Sequence, residues 1–323
     1  MGRDLYERSP AARAVLDGAD ATLDFPLTRL LFDGPAEELQ LTVNAQPAIV
    51  TVSLAALAAF HEQWPLEVSF PAPDFVAGHS VGEYAALVAC RAAETAVGLR
   101  LVRQRAVLMH RAGQERPGSM TVVLGLGREA VAAACAEART RVPGSYVDVA
   151  NHNAATQVTI AGDPDGLKVA ASLCQAAGAR RAVPLPVSAA FHSAAMQPAA
   201  DGLTPYVAGA AIADAAVPLV ANVDARPVTS AAGLRQELCQ QVARPVLWSD
   251  SMAVMLEGGV RLFVELGAGS VLSGLVQRLD GGATAAAAGD MAGVQAAVAA
   301  MSGVRGSGGA QQADGGNHEQ QRR

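Results

Sequence analysis

A serine flanked by glycines at Gly78-His79-Ser80-Val81-Gly82 could act as a nucleophile. A short extended segment, residues 74–77, precedes this motif, and an apolar helical pattern that begins at Glu83 follows it. Strand, tight turn and helix in this order are the surroundings in which G-x-S-x-G forms a nucleophile elbow. Because glycine has no Cβ, we expect both glycines to permit the sharp turn and its close packing. The pattern predicts that Ser80 meets substrate beside free backbone N–H groups, and an accidental Gly/Ser turn is the alternative.

A serine hydroxyl needs a general base, and the sequence offers six histidines. We favour His192 because it follows a predicted strand, residues 182–187, at a junction where the chain returns towards the elbow. A structural histidine at a turn is the alternative. No acidic residue stands in the chain order of an α/β-hydrolase triad, so a carbonyl oxygen is expected to orient the imidazole.

Arg105 is the third residue with a chemical role to consider. It lies on a predicted helix, residues 93–111, and shares one face of that helix with Leu101, Leu108 and Met109. Arginine is rarely buried without a partner, and its planar guanidinium holds a carboxylate through two parallel hydrogen bonds. Arg105 therefore predicts either a bound substrate carboxylate or an internal salt bridge, and Met109 belongs to the same candidate site.

Composition excludes several classes of protein. The chain has 323 residues, of which 51% are hydrophobic and 17% charged, as in a globular protein. Its net charge of −6, without a run of Lys or Arg, argues against a nucleic-acid partner. We expect charges or glycines to interrupt every apolar run before membrane-spanning length, and we predict neither a membrane span nor an export signal. Four widely spaced cysteines are typical of reduced thiols in a cytoplasmic protein.

The order of predicted elements indicates how these residues are positioned. Residues 1–70 are predicted to be helical, and residues 118–186 alternate as β-α-β-β-α-β, the ferredoxin-like order. Elsewhere, strands separated by helices predict a mostly parallel sheet. We therefore predict an α/β fold with a discontinuous larger domain, 1–117 and 187–301, and an inserted ferredoxin-like subdomain, 118–186. The Gly/Gln/Arg-rich segment 302–323 is predicted to be a disordered tail.

Together these motifs resemble the malonyl-CoA:acyl-carrier-protein transacylases and the related acyltransferase domains of polyketide synthases. The matching segments follow the order of that family over nearly the whole chain apart from its tail. They are residues 34–39, 46–48, 78–87, 105, 184–188, 191–192, 222–224, 245–248 and 265–269. The resemblance implies a hydrolase-like larger domain that carries a ferredoxin-like subdomain.

The resemblance also implies a role for individual residues. Ser80 matches the acylated nucleophile, His192 the base, and Arg105 the arginine that holds the free carboxylate of a malonyl group. Gln241 falls where a backbone carbonyl orients the histidine, and the N–H of Val81 matches half of the oxyanion hole. Two further positions complete the candidate site: Asn153, near an active-site asparagine of the family, and Phe191, whose bulk restricts the space around the α-carbon.

The implied reaction is a ping-pong acyl transfer without a metal or cofactor. Ser80 takes the malonyl group from malonyl-CoA, and the phosphopantetheine thiol of an acyl carrier protein then takes it from Ser80. Such a cytoplasmic enzyme would serve fatty acid biosynthesis. Because carrier proteins are acidic, Arg180 and Arg181 could form a basic docking patch, with a helix-end interaction as the alternative.

One departure from the family concerns the N-terminus. Family members begin with a strand and a Phe-Pro-Gly-Gln-Gly-Ser-Gln-like loop, whose glutamine backbone supplies the second oxyanion N–H. This sequence starts with Met1-Gly2-Arg3-Asp4, just beyond that loop. We therefore expect one oxyanion donor to be absent, which lowers kcat by roughly 10²–10³-fold. Two alternatives to malonyl transfer stay open. The protein could be a serine hydrolase or thioesterase, or an inactive remnant that binds a carrier protein.

Overall fold

The computed structural model describes residues 1–279 and 282–308. As predicted, the N-terminal region is helical. Its helices are α1 (Arg3–Arg8), α2 (Pro10–Leu23), α3 (Leu27–Asp33), α4 (Ala36–Gln40) and α5 (Thr42–Glu62). The side chain of Ser9 caps α2 by accepting a hydrogen bond from the N–H of Ala12 at 3.0 Å, and Pro10 occupies the first helical position.

The serine motif joins a strand to a helix, as predicted. Strand β1 (Val76–Ala77) leads into a 3₁₀ turn (Ser80–Gly82), which continues as α6 (Glu83–Ala89) and is followed by α7 (Thr95–Glu115). Both helices pack against α5. The turn that carries the nucleophile candidate is therefore held against the helical core.

The middle of the chain forms a separate four-stranded antiparallel sheet with two helices. Its elements are β2 (Ser119–Leu124), α8 (Arg128–Arg141), β3 (Val147–Ala154), β4 (Gln157–Gly162), α9 (Pro164–Ala176) and β5 (Arg181–Pro184). The spatial order is β3-β4-β2-β5, and β2 pairs with β4 in a register that sets Thr121 opposite Ile160. Val123, Val131 and Ile160 lie in its own apolar core. The β-α-β-β-α-β order predicted for this segment is the order found.

The C-terminal part supplies the strands that form a sheet with β1. Its elements are α10 (Gln197–Gly209), β6 (Leu219–Val220), β7 (Pro227–Val228), α11 (Ala231–Gln240), α12 (Trp248–Glu257), β8 (Leu262–Leu266), α13 (Val271–Val276), β9 (Thr284–Ala288) and α14 (Met291–Gly308). Strand β6 pairs in parallel with β1 and antiparallel with β7, while β8 and β9 form a separate parallel pair. In place of one mostly parallel sheet, the described residues outside the middle segment contain two short sheets.

Helix α5 corrects one prediction. By length and composition alone it is long and apolar enough to cross a membrane, and among the described residues it is the one such helix. The expectation that charges or glycines interrupt every apolar run is therefore wrong for residues 42–62. Val50, Val52 and Ala59 on this helix are fully buried, and α5 packs between α2 and α7. Its apolar length thus serves the protein core.

The end of α14 changes the predicted boundary of the tail. This helix continues to Gly308, so residues 302–308, which the composition assigned to a disordered segment, are helical. The remainder of that predicted segment, residues 309–323, lies outside the described residues.

Candidate active site

The backbone of the elbow is strained at Ser80, which has a φ of 52° in the left-handed region that non-glycine residues rarely adopt. A Cβ built on Gly78 would lie 2.0 Å from the carbonyl carbon of Gly82, so glycine is required at position 78. Gly82 differs, because its φ of −62° is helical and a Cβ there would meet no atom within 4 Å. The close packing that we expected at both glycines is therefore found at Gly78 alone.

Asn222, which follows β6, fixes the elbow from the neighbouring strand. Its Oδ1 accepts a hydrogen bond from the N–H of Ser80 at 2.7 Å, and its Nδ2 donates to the carbonyl of Gly78 at 2.8 Å. The side chain is fully buried. Because β6 pairs directly with β1, this amide lies beside the turn and stabilises the strained conformation of Ser80.

His192 lies in contact with Ser80, as a general base must. Its Nε2 is 2.6 Å from the Ser80 Oγ. Its Nδ1 is 3.0 Å from the carbonyl oxygen of Gln241 and 3.2 Å from that of Arg244. A carbonyl can only accept a hydrogen bond, so we assign the proton of the neutral ring to Nδ1. The Nε2 lone pair is then free to take the proton of the serine hydroxyl.

The surroundings of His192 keep its ring neutral. Burial is the main cause that lowers its pKa to about 3, and the positive charge of Arg105 lowers it further. The carbonyls of Gln241 and Arg244 act in the opposite direction. The imidazole is therefore unprotonated at neutral pH, which is the state that a base needs.

Arg105 lies on α7 with its guanidinium 1% exposed. Its Nη1 donates to Gln46 Oε1, and its Nη2 donates to Gln241 Oε1 at 2.9 Å and to Ser80 Oγ at 3.1 Å. Among the described residues it forms no salt bridge, and its Nε has no hydrogen-bond partner. The internal salt bridge considered from the sequence is therefore not what the structure contains.

Burial lowers the pKa of Arg105, whereas Tyr84 and Glu83 raise it. The guanidinium carbon lies 5.7 Å from the centre of the Tyr84 ring, within the range of a cation–π interaction. A buried cation whose direct contacts are only amides, a hydroxyl and an aromatic ring has a strong preference for an anion. Since it touches the Oγ of Ser80, an anionic group bound there would lie next to the nucleophile.

The remaining predicted residues lie around this centre. The N–H of Val81 belongs to the first turn of a helix, where N–H groups have no partner within the helix. Asn153 on β3 does not reach Ser80 directly, because its Oδ1 contacts Nε2 of His79 at 2.8 Å. Met109 and Phe191 both line a groove of about 680 Å³ beside the site.

Three site residues were not identified as such from the sequence: Gln46, Asn222 and Glu83. Each is a polar residue that is at most 6% exposed. Gln46 contacts Arg105 and also lies 3.5 Å from the Met109 sulfur. The available signal was a polar side chain inside an apolar stretch, since such a group is buried only when it is hydrogen-bonded.

Two other sequence predictions concern ions. Within residues 1–279 and 282–308, no group of three or more His, Cys, Asp or Glu side chains could hold a metal ion. Arg180 and Arg181 are both exposed, but Arg181 opens strand β5 and does not end a helix. The arrangement of Ser80, His192 and Arg105 can support nucleophilic attack on an acyl group that carries a negative charge.

Comparison with known proteins agrees with this chemistry. Residues 1–307 match the family described as "Acyl transferase domain". The malonyl CoA-acyl carrier protein transacylase of Bacillus subtilis is 41% identical over 280 residues, which cover 87% of this chain and 86% of that protein. An acyl-carrier-protein S-malonyltransferase from Burkholderia pseudomallei has a structure with a TM-score of 0.84, 38% identity, and coverage of 91% and 93%.

A further solved structure contains a type II PKS acyl-carrier protein in complex with its malonyl-transacylase. It matches with a TM-score of 0.87 and 36% identity, over 92% of this chain and 94% of that one. The family match extends over nearly all of the described residues, and the relatives are covered almost end to end. The chain therefore belongs to the acyl transferase domain family.

Proposed function

We propose that this protein transfers a malonyl group from coenzyme A to the phosphopantetheine thiol of an acyl carrier protein. One observation carries the proposal: Ser80 Oγ lies 2.6 Å from His192 Nε2 and 3.1 Å from Arg105 Nη2. A nucleophile, its base and a carboxylate-binding cation thus meet at one atom. The three malonyl transacylases named above are 36–41% identical to this chain over their aligned residues.

In the first half-reaction, the neutral His192 ring removes the hydroxyl proton while Ser80 Oγ attacks the thioester carbonyl. The bond that forms joins Oγ to the carbonyl carbon, and the developing oxyanion faces the N–H of Val81. The carbon–sulfur bond then breaks, and His192 returns its proton to the coenzyme A sulfur. A malonyl-Ser80 ester remains.

In the second half-reaction, the carrier-protein thiol gives its proton to His192 and its sulfur attacks the ester carbonyl. The bond between Ser80 Oγ and the carbonyl carbon breaks, and the proton returns to Oγ. The carbonyls of Gln241 and Arg244 stabilise the transient imidazolium through Nδ1 in both halves. No metal or other cofactor is required by this sequence of steps.

Selectivity for a dicarboxylic acyl group comes from Arg105. A malonyl carboxylate can replace the neutral oxygen of Gln46 as an acceptor of its Nη groups, forming a charge-assisted pair. An acetyl group leaves the buried guanidinium without an anion in direct contact. Sites that bind a polar substrate group in this way discriminate strongly against analogues that lack it.

We also propose the wider setting of the enzyme. The carrier protein is its second substrate, and the exposed Arg180 and Arg181 are candidates for the docking surface. Residues 1–117 and 187–301 form the hydrolase-like domain, and residues 118–186 form the ferredoxin-like subdomain. Phe191 and Met109, which line the neighbouring groove, restrict space near the acyl α-carbon. We also propose a cytoplasmic location, since the four cysteines are free thiols.

The test is acylation of the intact protein by malonyl-CoA, followed by mass spectrometry. We expect one malonyl group on the chain, its removal by holo-acyl carrier protein, and no labelling of Ser80→Ala. Ser302→Ala, on α14, is the matched control and should label normally. Labelling of Ser80→Ala contradicts the proposal. Net release of free malonate without transfer would favour the hydrolase, and carrier-protein binding without acylation would favour the inactive remnant.

A further inference from the structure

Two buried glutamates meet behind the nucleophile, and the reaction described above does not use them. Glu83 opens α6 and Glu237 lies on α11; they are 0% and 6% exposed. One backbone group, the N–H of Asn222, donates to both of them, at 2.8 Å to Glu83 Oε1 and at 2.9 Å to Glu237 Oε1. The two carboxyl groups therefore have this backbone donor in common.

Two ionised carboxylates would repel each other at such a place, and burial would add a large desolvation cost. Burial first, and the neighbouring Glu237 second, raise the pKa of Glu83 well above its ordinary value. Burial also raises the pKa of Glu237 to about 7. The N–H groups of Asn222 and Val223 favour the charged form of Glu237, so the pair holds one proton and one negative charge above that pH.

Other titratable groups face this pair from each neighbouring element. Arg105 approaches from α7, Tyr84 from α6, Cys239 from α11 and Asp224 from the loop after β6. Arg105 is the cation among them, and its proximity to Glu83 raises its pKa. The negative charge of the pair therefore compensates a guanidinium that forms no salt bridge among the described residues.

The side chain of Gln241 connects the pair to the active centre. Its Nε2 donates to Glu83 Oε2 at 2.8 Å and to the Ser80 carbonyl at 2.6 Å, while its Oε1 accepts from Arg105 at 2.9 Å. The same residue's backbone carbonyl accepts from His192. Acceptors on one side and the guanidinium on the other fix the direction of this amide.

We propose that Glu83 and Glu237, with one proton between them, are positioning residues that hold Gln241 and, through it, Arg105 and His192 in their working orientation. Neither glutamate touches the substrate. Glu83 supplies the acceptor that holds the Gln241 amide, and Glu237 supplies the negative charge. This inference rests on the proposed malonyl transfer, because its main readouts are the rate and the selectivity of that reaction.

The experiment compares malonyl and acetyl transfer in Glu83→Ala, Glu83→Gln and Glu237→Gln. Glu257→Gln, an exposed carboxyl at the end of α12, is the matched control. We expect Glu83→Ala to lose roughly 10- to 100-fold in kcat/KM for malonyl-CoA, the effect of leaving the buried Gln241 donor without its acceptor. The ratio of malonyl to acetyl transfer should fall with it. Glu83→Gln keeps an acceptor for Gln241 and a donor to Glu237, so it should stay within about threefold of the unchanged protein.

The pH profile tests the charge. Because the pKa of Glu237 is about 7 and that of His192 about 3, kcat/KM of the unchanged protein should fall below about pH 7 as Glu237 takes up a proton. Glu237→Gln should lack this acid limb. An unchanged malonyl-to-acetyl ratio in Glu83→Ala, or an unchanged limb in Glu237→Gln, overturns the inference. If the protein does not transfer malonyl groups at all, the proposed function fails instead.

A second measurement does not depend on activity or on stable alanine variants. The infrared spectrum of the unchanged protein at about pH 8 should contain the C=O stretch of a protonated, buried carboxyl group. Glu83→Gln should lack that band and Glu257→Gln should keep it. Absence of the band from the unchanged protein overturns the shared proton.

Discussion

The nucleophile and the guanidinium sit side by side, but different kinds of groups hold them. On the Ser80 side, backbone carbonyls of Gln241 and Arg244 orient His192. On the Arg105 side, the partners are the side-chain amides of Gln46 and Gln241. Backbone atoms are fixed by the fold and Glu83 holds the Gln241 amide, whereas the Gln46 amide can turn when a ligand arrives. The groups that make and break bonds, Ser80 and His192, are therefore held rigidly. Arg105, which selects the substrate, exchanges a hydrogen-bond partner when the substrate binds.

If this distinction holds, changes on the two sides should affect different kinetic quantities. A defect at His192 should lower transfer of every acyl group alike. A defect at Arg105 should change which acyl group is preferred. Four predictions test this separation, in order of decreasing expected effect.

The largest effect is expected from His192→Ala. Removing a positioned general base lowers rates by roughly 10²–10⁴-fold. Because the base acts on Ser80 whatever the acyl group, malonyl and acetyl transfer should fall by similar factors in stopped-flow acylation assays. A selective loss of malonyl transfer alone would break the distinction between the two sides.

Arg105→Ala should lower kcat/KM for malonyl-CoA by roughly 10²-fold or more, since a charge-assisted pair in a buried site is lost. Acetyl transfer should be unchanged or faster. Arg105→Lys, which keeps the charge but loses the planar fork, should recover part of the malonyl activity. Competition between the two thioesters, read by mass spectrometry of the acyl-enzyme, measures the preference. A constant preference in all three proteins would remove Arg105 from substrate selection.

The two glycines of the elbow should differ in their effect on stability. Gly78→Ala places a Cβ against the Gly82 backbone and should lower the free energy of unfolding by about 3 kcal/mol. Gly82→Ala occupies open space at a helical φ and should be neutral or stabilising by about 0.5 kcal/mol. Urea unfolding measures both. Equal destabilisation would mean that the backbone of the elbow is less rigid than its contacts indicate.

The smallest effect is expected from Gln46→Ala. It removes a group that orients the Arg105 guanidinium before the carboxylate binds, and should raise KM for malonyl-CoA roughly fivefold, the effect of about 1 kcal/mol, with little change in kcat. Steady-state kinetics separates the two quantities. A fall in kcat equal to the rise in KM would show that the amide also supports the nucleophile, and the contrast between the two sides would then weaken.

The sequence allowed some of this arrangement to be predicted. The elbow, His192 and Arg105 could be chosen because a nucleophile, a base and an apolar-faced arginine each have a local pattern. The middle segment could be assigned because its strands and helices are long and regular. The roles of Asn222, Glu83 and Glu237 could not be predicted, since each depends on contacts between elements that lie far apart in the chain.

Other differences have equally physical causes. The mostly parallel sheet predicted from the sequence is short here, since β6 has two paired residues and Asn222 just after it bonds to the elbow. Strand β9 was not identified from the sequence, because its run of alanines has no alternation of apolar and polar side chains. Helix α14 extends beyond residue 301, after which the predicted tail begins. Once a helix has formed, adding further residues to its end is easy, and local composition does not show this.

Strand β3 links two parts of the molecule mechanically. It pairs with β4 inside the four-stranded sheet, and its later residues bond across to Val246, with His152 N–H at 2.8 Å and Val246 N–H donating to Ala150 at 2.9 Å. The end of this strand brings Asn153 to the ring of His79, next to the nucleophile. Any displacement of that sheet must stretch these bonds or carry the ring with it. A protein that bound to the four-stranded sheet and displaced it would therefore also act on His79, next to the nucleophile.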